Sequence, residues 1–158
     1  MSTPLVVLLS GPNLALLGER QPDVHGTATL ADHVARATAA AERLGLVLEH
    51  LQSEREGDLV QAVHAARGRA AAIVVNAGAI THYGWSLHDA LASFSGPVVE
   101  LHLSNPDARE PWRRRSVLAP VCDGTVAGFG AVGYELAVEA AARLLRSSDP
   151  ALLRNQGP

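Results

Sequence analysis

Three polar clusters in this chain stand where an apolar run ends, and their residue types suit acid–base chemistry on an oxygen-rich anion. Ser10–Gly26, SGPNLALLGERQPDVHG, carries Asn13, Arg20 and His25. Asn76–Ala90, NAGAITHYGWSLHDA, carries Asn76, His82 and Asp89. Glu100–Ser116, ELHLSNPDAREPWRRRS, carries Glu100, His102, Ser104, Arg109 and Arg113. Histidine exchanges a proton near neutral pH, and arginine stays charged while offering oxygen a planar fork of donors. An asparagine at a strand end can aim its amide into a cleft, although forming a turn is its commoner role. His102 and Ser104 alternate with Leu101 and Leu103. On a strand the polar pair therefore shares one face and the leucines the other. A core histidine satisfied by backbone is the plainer reading of His102, and a solvated helix residue is the plainer reading of Asp89.

Composition removes several reaction classes. All 13 basic residues among the 158 are arginine. Without lysine there is no Schiff base and no P-loop lysine to hold a nucleotide. A formal charge of −3 provides no basic surface for nucleic acid and no polybasic membrane anchor, which leaves a small molecule as the expected partner. Cys122 is the only cysteine, so neither an intrachain disulfide nor a multi-cysteine zinc site can form. Its surroundings predict a buried strand residue. The run Leu5–Leu9 follows no basic segment and is far too short to cross a bilayer. A cytoplasmic protein is the expectation.

The elements that must position these clusters follow from the apolar patterning. Strands are predicted at Leu5–Leu9, Leu46–Leu51, Ala71–Val75, Val98–Leu103 and Val117–Val121, from runs of strand length and composition. Helices are predicted at Leu30–Leu44, capped by Thr29 or Thr27 and stopped at Gly45, at Asp58–Arg67 before Gly68, and at Trp85–Phe94 before Gly96 and Pro97, on cap and stop signals. A last helix from Val132 to Arg146 places Val132, Leu136, Ala140 and Leu144 on one apolar stripe for packing on the sheet. Strands alternating with helices argue for an α/β, flavodoxin-like three-layer sandwich whose parallel sheet has five strands in the order 2-1-3-4-5. One domain over residues 1–146 is expected, with a fraying polar tail at 147–158. Ligands in such sheets lie outside the carboxyl ends of the strands where their order reverses, here after the first and third. The glycines of GTVAGFGAVG, Gly124–Gly133, read as close strand–helix packing, because the spacing is not GxGxxG after a first strand and no acidic ribose partner follows.

Taken in this order, the three motifs resemble those of the type II (class II) 3-dehydroquinate dehydratases, lyases of the shikimate and quinate pathways, over about Leu5 to Leu145. The resemblance implies loss of water from a cyclic β-hydroxyketone carboxylate, 3-dehydroquinate to 3-dehydroshikimate, by anti elimination through an enolate. It implies no metal or cofactor, and a homododecamer built from trimers. On this likeness His102 protonates the leaving hydroxyl, Asn13 stabilises the enolate, and Ser104 with the Leu103 backbone holds the carboxylate. Asn76 and His82, with Asp89 reaching in from a neighbouring subunit, bind carboxylate and ring hydroxyls. Arg113 bonds a hydroxyl, Arg20 closes as part of a lid, and Arg109 and Glu100 support the site.

The chain departs from the family pattern at its base. His25 stands where the family has the tyrosine that takes the proton beside the ketone. Imidazole, with an ordinary pKa of about 6.5, is a competent base at neutral pH, but it is shorter than a phenol. Ala79 replaces a usual glycine, Tyr83 and Gly84 follow His82 in place of small hydroxyl residues, Trp85 is bulky, and Pro106 and Pro111 stiffen the segment before Arg113. Tyr83 offers a phenol from another direction. Three readings therefore stand: a dehydratase with a substituted base, a diverged paralogue acting on another cyclic hydroxy acid, and a silent ligand-binding homologue. Retention of His102 and the arginines argues against silence.

Overall fold

The computed structural model describes residues 2–147. Most of the predicted tail, 148–158, lies outside the described residues, while Ser147 caps the last helix. Strands β1 (Leu5–Ser10), β2 (Val47–Gln52), β3 (Ala72–Asn76), β4 (Val98–His102) and β5 (Gly124–Ala127) form a parallel sheet in the order β2-β1-β3-β4-β5. Helices α1 (Pro22–His25), α2 (Leu30–Arg43), α3 (Glu56–Ala66), α4 (Trp85–Ala92) and α5 (Gly133–Arg146) join them, with short 3₁₀ turns at several strand exits. The predicted architecture and strand order are those observed.

Alternation along the central strands feeds two cores. Val6, Leu8, Val74, Leu101 and Leu103 pack with Ala37, Tyr134 and Val138 on the α2–α5 side, whereas Val7, Leu9, Ile73 and Val75 pack with Leu59, Leu87 and Leu91 on the α3–α4 side. Burial on both faces is the condition a parallel sheet requires. At the head of α2, Thr29 Oγ1 accepts from Asp32 N at 3.2 Å and the Asp32 carboxylate accepts from Thr29 N at 2.9 Å, a capping box that satisfies two otherwise orphaned donors.

Three expectations need correction. The fifth strand is Gly124–Ala127, paired to β4 from Val99↔Gly124 to His102↔Ala127, and not Val117–Val121. Val117 and Leu118 are buried, but they close the α3–α4 core and lead into a 3₁₀ turn, Ala119–Val121, that contains Pro120. Proline has no N–H for a ladder, so the apolar character there marks core closure and not strand pairing. Cys122 ends that turn, half-buried and outside any strand. Finally, α5 turns Tyr134, Ala137, Val138, Ala141 and Ala142 inward; of the predicted stripe, Ala140 and Leu144 pack partly buried against the same core, while Val132 is 47% exposed. Small residues let this helix lie close to the sheet, as at Gly133, where an added Cβ would sit 3.2 Å from Leu101 Cδ1. A stripe weighted towards large side chains misses such a face.

Two glycines join the exits of β1 and β3. A Cβ on Gly11 would meet the Ala77 carbonyl oxygen at 2.4 Å, and Gly78, at φ +58°, would bring one to 3.0 Å from the Pro12 oxygen. Gly11 N also donates to Asn76 O at 2.8 Å. The backbones leaving adjacent strands therefore touch, which holds the segments carrying Asn13 and Asn76 side by side. Among the described residues no helix is long and apolar enough to cross a membrane.

Candidate active site

A cleft opens at the carboxyl ends of β1, β3 and β4, and its concave wall mixes apolar side chains with a few converging polar groups, as small-molecule sites do. Asn13, Leu14, Leu17, Arg20 and His25 line it from the β1 exit, Asn76, Gly78, Ala79 and His82 from the β3 exit, and His102, Leu103, Ser104, Pro106, Arg109 and Arg113 from the β4 exit. The strand-order reversal lies between β1 and β3, so the site falls where the topology predicts.

Its walls include Arg20, Arg109 and Arg113, three histidines, and no aspartate or glutamate. The Arg109 guanidinium is pushed below its ordinary pKa, first by burial and then by Arg113, with Glu110 opposing and Arg20 adding to the effect. Glu110 itself is exposed and pairs with Arg113 from outside the lining. Like charges held this close repel, and a bound anion relieves the repulsion.

His25 ends the short helix α1 and is half-buried. Burial, followed by Arg109, Arg20 and Arg113, holds its imidazole below the ordinary 6.5. It is therefore neutral at pH 7 and presents a lone pair. The positive surroundings that would make a phenolate available keep an imidazole unprotonated, so each base is delivered in its active form.

Glu100 and His102 sit two residues apart on β4, on the face opposite Leu101 and Leu103, and His102 Nε2 lies 3.5 Å from Glu100 Oε2. Burial disfavours the Glu100 carboxylate, but hydrogen bonds from His102, Ser116 and Thr125 outweigh it and hold the pKa below the ordinary 4.5. An ionised, fixed carboxylate thus holds Nε2–H and orients the ring of a histidine that lines the cleft. Ser104 Oγ accepts from Arg109 Nη1 at 3.4 Å, so its own proton is available to an anion.

His82 Nδ1 donates to Arg115 O at 2.7 Å. In the neutral ring Nε2 is then an acceptor, suited to a hydroxyl. The Arg113 guanidinium stacks 4.0 Å from the centre of the Trp112 ring and bonds Glu110. Asn13 takes the left-handed conformation at φ 66°, its N–H bonded to Glu54 Oε2 at 2.8 Å. It is at once a turn former and a cleft residue.

Most predicted site residues therefore converge. Glu100 stands behind His102 and not in the lining, as a supporting group does. Asp89 is exposed on α4 and lies outside the cleft of its own chain. Tyr83, 59% exposed, and Trp85 and Pro111 also lie outside it, so no phenol returns from that side. Among the departures from pattern, His25, Ala79 and Pro106 line the cleft. Sequence reasoning missed the apolar floor of Leu14 and Leu17, whose signal is two leucines three apart in a segment without strand or helix patterning. It also missed Tyr134, which contacts Asn76 from behind. Among the described residues no group of three His, Cys, Asp or Glu side chains converges to hold a metal ion.

Residues 4–142 match the family described as Dehydroquinase class II. The chain belongs to that family. It is 50% identical over 135 residues to a 3-dehydroquinate dehydratase of Bacillus licheniformis, covering 85% of this chain and 93% of the relative. A protein of Aspergillus terreus named catabolic 3-dehydroquinase 1 is 48% identical over 134 residues, 85% of this chain and 88% of its own. The solved type II dehydroquinase from Propionibacterium acnes superposes with a TM-score of 0.84 at 39% identity, over 90% of this chain and 98% of that one. Class II dehydroquinases thus share both sequence and backbone with this protein, and the resemblance drawn from the three motifs holds at the level of the family.

Proposed function

We propose that this protein removes water from 3-dehydroquinate to give 3-dehydroshikimate, with His25 as general base and His102 as general acid. The observation that carries the reading is the cleft itself, where a neutral imidazole after β1 and a carboxylate-backed imidazole on β4 share an arginine-rich cavity. The substrate carboxylate is taken by Asn76 and Ser104 with the Leu103 backbone; its ring hydroxyls meet His82 and Arg113. His25 takes the acidic proton next to the ketone, and the electron pair enters an enolate whose oxygen faces the Asn13 amide. When the enolate collapses to the conjugated enone, the β carbon–oxygen bond breaks. The departing hydroxyl takes a proton from His102, which acts as the imidazolium with its other N–H held by Glu100 and returns to the neutral ring, and it leaves as water. Arg20, in the segment between β1 and α2, closes over the bound acid, and Arg109 holds Ser104 while keeping His25 neutral.

The proposal extends to a single catalytic domain over residues 1–146, to action in the cytoplasm, and to a homododecamer of trimers in which Asp89 serves a neighbour's cleft. Support for the assembly comes from Asp89, exposed on α4 outside its own cleft, beside the exposed aromatic side chains of Tyr83 and Trp85. Exposed apolar groups of that size commonly mark interfaces.

The test is to add 3-dehydroquinate to purified protein and follow the ultraviolet absorbance of the conjugated enone. Steady turnover is expected. A folded protein that produces no enone refutes the reading, and if it still binds quinate the altered base, Ala79 and Pro106 point to a different cyclic hydroxy acid.

A further inference from the structure

We propose that Tyr134 is a positioning residue for Asn76, its hydroxyl fixing which edge of the Asn76 amide faces the ligand. The inference rests on the reading of the cleft given above. Tyr134 lies on α5, fully buried, and burial raises its pKa. It therefore remains a phenol, with one proton to give and lone pairs to receive. Asn76, the last residue of β3, is 3% exposed and lines the cleft.

The amide orientation follows from its neighbours. Asn76 Oδ1 accepts from Gly78 N at 3.4 Å, and Nδ2 donates to the Tyr134 oxygen at 3.3 Å. A flipped amide would set NH₂ against the Gly78 N–H, donor against donor. With the oxygen held at Gly78 and one Nδ2 proton held by Tyr134, the second Nδ2 proton is the group left for the cleft. Asn76 thus meets the ligand as a donor, the polarity a carboxylate requires.

The network closes on the far side. Because Tyr134 receives from Asn76, its own proton goes to Ser10 Oγ, a long contact at 3.5 Å, and Ser10 gives its proton to His50 Nε2 at 2.9 Å on β2. Burial keeps the His50 ring below the ordinary 6.5, so Nε2 can carry the lone pair that ends the chain. In the reverse direction Ser10 and Asn76 would both donate to the Tyr134 oxygen, and the buried Tyr134 proton would have no acceptor among these groups, a costly arrangement. The His33 ring, itself buried, stacks on Tyr134 at 5.1 Å and 15° and holds the phenol in place from α2.

Tyr134→Phe keeps the ring and its stacking and deletes the oxygen. The expected result is a rise in KM of about ten-fold, from a loosened donor to a charged group, with kcat changed less than about two-fold. In an Asn76→Ala background the same substitution should leave KM unchanged, because there is no amide left to position. Independent KM losses that multiply in the two backgrounds would assign Tyr134 a merely structural role and overturn the proposal. If the unsubstituted protein does not turn over 3-dehydroquinate, the function proposed above falls, and the same comparisons are read as Kd for quinate, which carries the carboxylate without the reacting ketone. A neutron structure of the unsubstituted protein needs neither ligand nor variant and covers the case in which Tyr134→Phe fails to fold. It should place Nδ2 deuterons towards Tyr134 and the cleft; an Asn76 oxygen facing the cleft refutes the assignment.

Discussion

If His25 is the base, replacing it by glutamine removes proton affinity while keeping a polar side chain at the site. A positioned general base contributes roughly 10²–10⁴-fold, so kcat/KM should fall by that factor, about 3–5 kcal/mol of transition-state stabilisation. The pH profile is the sharper measurement. Burial and the charges of Arg109, Arg20 and Arg113 all lower the His25 pKa from 6.5. At pH 7 an imidazole of even the ordinary pKa is about three-quarters neutral, and the lowered value makes the active fraction larger. The acidic limb of kcat/KM should therefore lie below pH 6.5, the rate falling about ten-fold per unit of pH beneath the apparent pKa. Raising the ionic strength screens the partly exposed guanidinium groups and should move that limb upwards. In His25→Gln the limb should vanish along with the rate. Protonation of another group in the protein or the substrate would produce a similar limb, so the comparison of variant with parent decides. A His25→Gln protein that keeps both its rate and its acidic limb would refute the assignment and pass the base role to a water molecule.

His102→Ala should abolish turnover with little change in quinate affinity, because protonating the leaving oxygen acts in the transition state; Arg113→Ala should instead raise KM, and titration calorimetry beside kinetics separates the two. Glu100 has a folded-state pKa below 4.5, so the unfolded chain binds more protons below that value and this group's stabilisation is lost as pH falls through the folded pKa. Glu100→Gln should flatten the pH dependence of urea-unfolding stability below about pH 4.5, and unchanged curvature would remove Glu100 from that role. Gly11→Ala places a Cβ 2.4 Å from the Ala77 oxygen, backbone against backbone; overpacking of this kind should cost about 3 kcal/mol and lower Tm by roughly 6–12 °C, and a Tm within 2 °C of the parent would contradict the close approach of the β1 and β3 exits.

Much of the active site was legible in the sequence because its side chains come from three short segments, each following a strand that buried apolar residues mark. Asn13, Asn76 and His102 stand at or just beyond those strand ends, and the strand order 2-1-3-4-5 is enough to bring them together. Sequence alternation also put His102 and Ser104 on the face opposite Leu101 and Leu103. The sequence further determined that no lysine chemistry is available and that the base position holds an imidazole.

Tertiary structure decided what depends on neighbours distant in the chain. The neutrality of His25 arises first from burial and then from Arg109, Arg20 and Arg113; Arg109 and Arg113 lie more than 80 residues away, and no local pattern carries that burial or that field. The fifth strand could not be read from apolarity, because an edge strand needs only one partner, and the short GTVA of β5 is less apolar than the core-closing Val117–Val121 beside it. The inward face of α5 was hidden because its alanines are small, and with it Tyr134, whose contact with Asn76 spans 58 residues. Periodicity assigns a residue to a face. Which polar group waits on the other side of that face is fixed only when the helix docks on the sheet, since a buried hydroxyl takes its role from the donors and acceptors that packing brings within about 3 Å.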